Sequence, residues 1–143
     1  MTDQTAKPAT RRATGTFEVK MTPQPADDYT AAGSGLARLT GDKQFHGDLD
    51  GTSKGQMLSG GDYASGSAGY VAMERVTGTL SGRTGTFILQ HSATLNKNVP
   101  SLSITVVPGS GTGQLAGISG SMNIRIEGGK HFYDFDYSLP DSH

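Results

Sequence analysis

The sequence predicts an all-β protein, a single antiparallel barrel of eight strands. Short segments of alternating apolar and polar residues recur between glycine-rich turns, and such even spacing is typical of all-β folds. No substantial stretch has apolar residues at the spacing of an amphipathic helix. Strands with one apolar face and no helix to cover it can form either a two-sheet sandwich or a closed barrel. Glycines at positions 47, 51, 78 and 85, inside the predicted strands, favour the tight curvature of a barrel.

The predicted strands follow a polar N-terminal arm. Residues 1–13 lack apolar periodicity and are expected to be disordered, and residues 14–143 are expected to form one barrel domain. Residue pairs at 81–82 and 128–129 supply the positive φ angles of two-residue hairpin turns, and residues 23–33 are expected to form a loop. The eight strands are expected at about residues 14–22, 34–41, 44–59, 67–80, 83–95, 101–108, 115–127 and 130–139.

The composition excludes several functional classes. The chain has 12 basic and 13 acidic residues and a formal net charge of -1, so no strong field attracts nucleic acid or an anionic membrane. With 0 cysteines it has neither disulfides nor a thiolate metal site. No apolar segment of a secretory signal follows Arg11 and Arg12, and no apolar run is long enough to cross a bilayer. A cytoplasmic protein is therefore expected.

The turn at 128–129 determines which side chains of the last two strands share a face. It places Ile124 opposite Tyr133, and the alternation of side chains puts Tyr137 on the same apolar face. This face is expected to form part of the core, with the two tyrosine hydroxyls inside the barrel and His131 near its rim.

The turn at 81–82 predicts the candidate site. It aligns two strands so that one face holds Tyr70, Ala72, Glu74, Val76, Phe87, Leu89 and His91. Glu74 and His91 are diagonal neighbours on this face, about 7–8 Å apart at the backbone. A buried charge needs a partner, and a carboxylate–imidazole pair in an apolar interior suits general acid–base catalysis. A structural pair that only satisfies its own charges accounts for the same pattern and is the commoner case.

Three other patterns suggest no further chemistry. His46, Asp48 and Asp50 alternate along the polar face of the predicted third strand, where an open surface rarely completes a coordination sphere, so no metal site is expected. The glycine-rich segment at 108–113 lacks the lysine and helix of a phosphate-binding loop and is predicted to be a turn. No serine nucleophile elbow is present, which leaves a hydrolase as the weakest alternative.

Many segments, in order, resemble the bacterial domain-of-unknown-function family 3224 (DUF3224). The resemblance implies a small barrel like that of allene oxide cyclase, a fold often found as a homo-oligomer, and a family without an assigned reaction. The resemblance also implies a carboxylate in the barrel lumen, as in those cyclases, and Glu74 is the one residue of this sequence that matches their general pattern. The matching segments are 15–20 (GTFEVK), 45–55 (FHGDLDGTSKG), 68–78 (AGYVAMERVTG), 82–91 (GRTGTFILQH), 106–113 (VVPGSGTG), 115–120 (LAGISG) and 131–137 (HFYDFDY).

The leading functional hypothesis is that the barrel lumen binds a small, largely apolar molecule without a cofactor. Glu74 and His91 would be its polar contacts, and an enzyme of this kind would carry out proton transfer in an isomerisation or cyclisation. The competing class is a binding or structural protein with a filled barrel that acts through its outer surface or an oligomer interface. The residues expected to line the ligand site are Tyr70, Phe87, Leu89, Tyr133 and Tyr137.

Overall fold

The structure is a computed structural model that describes residues 9–140, and it is a closed barrel of eight antiparallel strands. Each strand pairs with the next along the chain, and the last pairs with the first, as predicted. Within residues 9–140 no helix has the length and apolar character needed to cross a membrane. The strands are β1 (Arg11–Pro23), β2 (Leu36–Gly47), β3 (Leu49–Asp62), β4 (Ser67–Leu80), β5 (Arg83–Asn96), β6 (Val99–Val106), β7 (Ser119–Glu127) and β8 (Lys130–Ser138).

Both predicted hairpin turns and their registers are confirmed. In the β4–β5 pair Glu74 lies opposite Leu89, and in the β7–β8 pair Ile124 lies opposite Tyr133. All four central residues of these turns have positive φ, which explains why glycine occupies three of them.

The reversal between β2 and β3 lies later in the chain than expected. Residues 44–47, assigned to the third strand by the sequence, belong to β2, and the chain reverses at Asp48. Gly47 adopts a φ of 106°, a conformation that favours glycine, and the Asp48 carboxylate accepts a hydrogen bond from the Thr14 backbone N–H at 2.9 Å. Phe45 and Leu49 are both buried, because each faces inward on its own strand.

The starts of β1 and β7 also differ from the prediction. Arg11 pairs with Tyr137, so residues 11–13 of the predicted arm belong to β1, whereas residues 1–8 of that arm lie outside the described residues. β7 begins at Ser119 rather than at 115, because residues 113–115 form a 3-10 turn that buries Leu115. Residues 141–143 of the predicted domain also lie outside the described part.

One half of the barrel interior is packed solid. The Phe135 ring stacks on two others there, with its centroid 5.6 Å from that of Phe87 and 5.4 Å from that of Tyr137. The Tyr133 hydroxyl accepts a hydrogen bond from Leu49 N at 2.9 Å and donates to the backbone oxygen of His46 at 2.9 Å. The largest fully buried side chains are those of Tyr133, Phe45, Phe87, Phe135, Leu49, Leu80, Leu89, Ile104, Leu115 and Val76.

Glycines allow β3 and β4 to approach closely in this half. Gly51 and Gly78 are cross-strand partners, and a Cβ on Gly51 would lie 2.7 Å from the Gly78 Cα. Only glycine fits such an approach between backbones, which agrees with the curvature expected from glycines inside strands.

Candidate functional site: a cavity with a buried ion cluster

The other half of the barrel contains a cavity of about 260 Å³ that is open at one end. An apolar cavity of 150 Å³ holds benzene, so by proportion this one has room for about ten non-hydrogen atoms. Met21, Leu102 and Ile126 at its edge are partly exposed and mark the mouth of the barrel. The apolar residues of the wall are Phe17, Val19, Met21, Met57, Ala72, Met73, Leu102, Ile124 and Ile126.

Polar atoms converge on Glu74 at the inner wall of the cavity. Its Oε1 accepts hydrogen bonds from Lys43 Nζ at 2.9 Å and from His91 Nε2 at 2.5 Å. Its Oε2 accepts one from Ser53 Oγ at 2.5 Å. The Glu74 and His91 residues are only 5% and 6% exposed, so the predicted carboxylate–imidazole pair is present and buried. We call these four side chains, Lys43, Ser53, Glu74 and His91, the ion cluster.

Strand alternation and a pair of glycines position the ion cluster. Lys43 lies two residues before Phe45 on β2, and Ser53 lies four residues after Leu49 on β3, so both side chains face inward. On β3, Gly55 pairs with Glu74, and a Cβ at Gly55 would lie 2.8 Å from the Glu74 Cβ. The absence of that side chain leaves the volume in which Glu74 meets its partners.

The electrostatics of the ion cluster keep Glu74 ionised. Burial by itself raises the pKa of Glu74, but the His91 hydrogen bond, the charges of Lys43 and His91, and the Ser53 hydrogen bond outweigh burial. The net result lowers the pKa of Glu74 from 4.5 to about 2. This carboxylate is therefore a weak base and is not available as a general acid near neutral pH.

His91 presents its second ring nitrogen to the cavity. An ionised carboxylate only accepts hydrogen bonds, so the proton between the two groups belongs to His91 Nε2. In neutral His91, Nδ1 is then an acceptor, and it makes no hydrogen bond within the described chain. No fully buried side-chain nitrogen or oxygen of residues 9–140 lacks a partner, so Nδ1 is accessible from the cavity that His91 lines.

Lys43 presents unused donors to the same space. Its ammonium group lies 4.9 Å from the ring centroid of Phe17 and 5.8 Å from that of Phe45, and its side chain is 13% exposed. Both contacts are cation–π interactions. Of the three N–H groups of Lys43, one is accounted for by Glu74, and the others are available to a polar ligand atom.

The cavity contains some of the predicted ligand-site residues and not others. Tyr70 lines it beside Glu74 and His91, and burial raises the pKa of the Tyr70 phenol, which keeps it neutral. His131 lines the outer part, as expected for a rim residue. The remaining four predicted lining residues, Phe87, Leu89, Tyr133 and Tyr137, instead belong to the packed half and are not part of the cavity wall in the described chain. They share a strand face with the site but lie at another depth along the barrel.

Lys43 and Ser53 were not among the predicted site residues. Ser53 follows from continuing the inward alternation of Phe45 and Leu49 along the chain. Lys43 was not assigned to a strand face, because the predicted reversal between the second and third strands lay at residues 42–43 instead of at Asp48.

The polar trio at residues 46–50 lies on the barrel surface. His46 pairs with the Glu18 carboxylate at 2.8 Å, and both side chains are at least half exposed. Asp48 and Asp50 are also exposed, and Asp48 holds the chain reversal described above. Within residues 9–140 no group of three or more His, Asp or Glu side chains has the arrangement of a metal site.

Comparison with known proteins places these features in a family. The chain matches the model of the family described as "Protein of unknown function (DUF3224)" over residues 13–137. It is similar to the crystal structure of a protein of unknown function from the DUF3224 family of Shewanella oneidensis MR-1. The sequence identity is 43%, the match covers 94% of this chain and 100% of that one, and the TM-score is 0.86. No curated protein matches the chain significantly. The likeness to the allene oxide cyclase barrel stays a prediction.

Proposed function

The chain belongs to the DUF3224 family, a family of proteins of unknown function, and from its cavity we propose that the barrel binds a small, largely apolar molecule. The observation that carries this proposal is an apolar cavity with free polar groups at its inner end, in a barrel whose other half is packed solid. Ligand sites of proteins have this character, a mostly apolar wall with a few placed polar groups.

Small residues support the proposal, because they keep the cavity open. Gly41, Gly55 and Ala72 all line the cavity at inward-facing positions where the packed half carries leucine, valine or phenylalanine. Protein interiors are normally filled to crystal-like density, so a set of small side chains around one space favours a role for that space.

A fluorescent probe of matching size tests the proposal directly. The chain has no tryptophan, so indole excited beyond the tyrosine absorption reports its own environment. We expect a saturable blue shift of indole emission with the wild-type protein. Ala72→Phe, which fills the cavity, should abolish the shift, whereas Thr77→Phe, an outward-facing control on the same strand, should retain it. Absence of saturable binding, or equal binding by Ala72→Phe, would refute the proposal.

A second candidate function is cofactor-independent isomerisation or cyclisation by proton transfer. The observation that favours it is the free Nδ1 of His91 facing an apolar cavity while Glu74 orients the ring through Nε2. In this arrangement His91 is the base, and Glu74 is a positioning residue, a division of roles that the sequence did not predict for the pair. Hydrogen–deuterium exchange at the α-carbon of methyl heptyl ketone, followed by NMR, measures such a step. Exchange at the same rate with wild type and His91→Gln would eliminate this function.

The competing class, a structural or oligomer-forming protein, is favoured by a different feature. Leu58 and Val71 are cross-strand partners that face outward and are each 53% exposed, with Met73 next to them. Sedimentation of wild type and Leu58→Lys would detect a homo-oligomer that uses this surface. A hydrolase has less support, because the base beside the Ser53 hydroxyl is the Glu74 carboxylate, whose lowered pKa makes it a weak base.

A further inference from the structure

We propose that the ligand reaches the cavity through the side wall of the barrel, between β6 and β7. Such a route presupposes the proposed binding function and adds to it how the bound molecule enters and leaves. Three observations support it: the pairing of these two strands, the exposure of the side chains beside them, and the anchoring of the adjoining turns.

The wall of the barrel is joined weakly between β6 and β7. Its two cross-strand pairs there are Ile104 with Met122 and Thr105 with Ser121. On their other sides, β6 pairs with β5 along all eight of its residues, and β7 pairs with β8 along all nine. Within the described chain, residues 99–103 and 123–127 therefore have a paired strand on one side only. We call the boundary between these two segments the seam.

The sequence of β6 favours an unpaired edge at the seam. If the two pairs were continued toward the mouth, Leu102 would lie opposite Ile124, and Pro100 would lie opposite Ile126. Proline has no backbone N–H to donate, and within sheets it is confined to strand edges, strand starts and bulges. The seam also lies at the level of the cavity, because Leu102, Ile124 and Ile126 all line it.

Inward-facing side chains become exposed as the wall approaches the seam. Tyr70, Ala93 and Leu102 are successive cross-strand partners on β4, β5 and β6, so they lie at one level of the barrel. Tyr70 and Ala93 are half-buried, whereas Leu102 is 39% exposed. Across the seam, Ile126 lies on the same inner face as the buried Met122 and is nevertheless 67% exposed. The cavity is thus least covered beside the seam.

The turn on the β6 side of the seam is anchored more firmly than the turn on the β7 side. The Asn98 N–H of the β5–β6 turn donates to the Gly66 oxygen of the β3–β4 connection at 3.0 Å. Among residues 9–140, the β7–β8 turn at 128–129 makes no such backbone hydrogen bond to another connection. Arg125 forms its ion pairs with two carboxylates of its own hairpin. The outer part of this hairpin can therefore move away from β6 without breaking a strand pair or an ion pair of the described chain.

A disulfide across the seam tests this route. Ser103 and Asn123 continue the register by one position and are both exposed, and the chain has 0 cysteines of its own. In Ser103→Cys/Asn123→Cys, oxidation joins the two sides of the seam. The matched control is Thr105→Cys/Ser121→Cys, because this neighbouring position already belongs to a strand pair. Each variant is compared in its reduced and oxidised forms.

Stopped-flow fluorescence measures the association and dissociation rates of indole. We expect the disulfide between positions 103 and 123 to slow both rates by on the order of tenfold or more, because closing a gate raises the barrier in both directions. The affinity should stay the same, since both side chains face away from the cavity. Oxidation of the control pair should leave both rates unchanged.

The possible outcomes separate the route from the binding function. Unchanged rates after oxidation at positions 103 and 123 would show that indole enters by the mouth, and would overturn the inference while the binding function stands. A lower affinity with an unchanged association rate would overturn it as well. If neither the reduced variants nor the wild type bind indole saturably, the proposed function itself fails.

Hydrogen–deuterium exchange of the wild-type protein provides a test that needs no variant. Residues 52–58 of β3 are paired on both sides and serve as the internal reference. We expect the amides of residues 99–103 and 123–127 to exchange on the order of tenfold or more faster than the reference, because local opening is easiest where a strand lacks a partner. Equal protection of the seam and the reference would show that the seam does not open, and would overturn the inference.

Discussion

Replacing Glu74 with glutamine tests whether the ion cluster stabilises the open half of the barrel. The pKa of Glu74 falls from 4.5 to about 2 in the folded protein, and Glu74 is only 5% exposed. A depression of this size corresponds to about 3 kcal/mol of folding free energy at neutral pH. Removing one partner of a buried ion pair costs about 3–5 kcal/mol, an independent figure of similar size. We therefore expect Glu74→Gln to lower the free energy of unfolding by about 3 kcal/mol at neutral pH.

The pH dependence of this loss has a definite sign. The folded-state pKa of Glu74 lies below its unfolded value, so its contribution is complete above pH 4.5 and disappears as the pH falls toward 2. The stability difference between wild type and Glu74→Gln should therefore shrink across that acidic window. Asp27 and Asp136, whose pKa values are also lowered in the fold, are present in both proteins and cancel in the difference.

Urea denaturation followed by circular dichroism, repeated over a pH series, measures this difference. Glu127→Gln is the matched control, because Glu127 is 60% exposed and pairs with Arg125 at the surface. Exposed pairs contribute about 0–1 kcal/mol, so this control should change stability little. A loss below about 1 kcal/mol for Glu74→Gln, or a loss that is the same at neutral and acidic pH, would refute the reasoning.

Two further predictions address the two halves of the barrel separately. Tyr133→Phe removes the hydroxyl that binds the backbone of Leu49 and His46 in the packed half. It should cost about 1–3 kcal/mol in urea denaturation and leave indole binding unchanged, and a loss of binding would contradict the assignment of Tyr133 to that half. Gly55→Ala places a Cβ 2.8 Å from the Glu74 Cβ and should destabilise the protein by about 1–3 kcal/mol. At Gly60 the nearest atom that a Cβ would meet belongs to the Leu36 side chain at 3.5 Å, an ordinary contact distance, so alanine should be tolerated there. Equal effects at the two positions would argue against crowding at Glu74.

The sequence predicts the fold and the central pair of the site because both follow from local signals. The Ser81–Gly82 turn has the positive φ angles expected of a two-residue hairpin, and such a turn sets the register of both flanking strands. That register aligns Ala72 with His91 and so brings Glu74 to its partner from a separation of 17 residues. Side-chain alternation then decides which faces point inward.

The parts that sequence reasoning missed depend on long-range geometry. The reversal at Asp48 has no two-residue turn signature, because it uses Gly47 and a side-chain hydrogen bond to Thr14, which is distant in the chain. Without that reversal, Lys43 was not placed on an inward face. The depth of Tyr133 and Phe87 along the barrel depends on how all eight strands are staggered, and this stagger is set by pairings such as β1 with β8 that no local pattern encodes.

The energetics of the ion cluster separate its effect on folding from the role in recognition that we propose. Removing Glu74 alone destabilises the fold, because Lys43 is left buried without its counter-charge. Replacing a whole buried cluster with apolar side chains of similar volume is often neutral or stabilising, since it also removes the cost of desolvating the charges. A sequence selected for stability alone would therefore fill this half of the barrel as it fills the half around Phe135. Charged and small residues around one cavity instead maintain free donors and acceptors in an apolar space, which is the requirement for recognising the polar end of a small molecule.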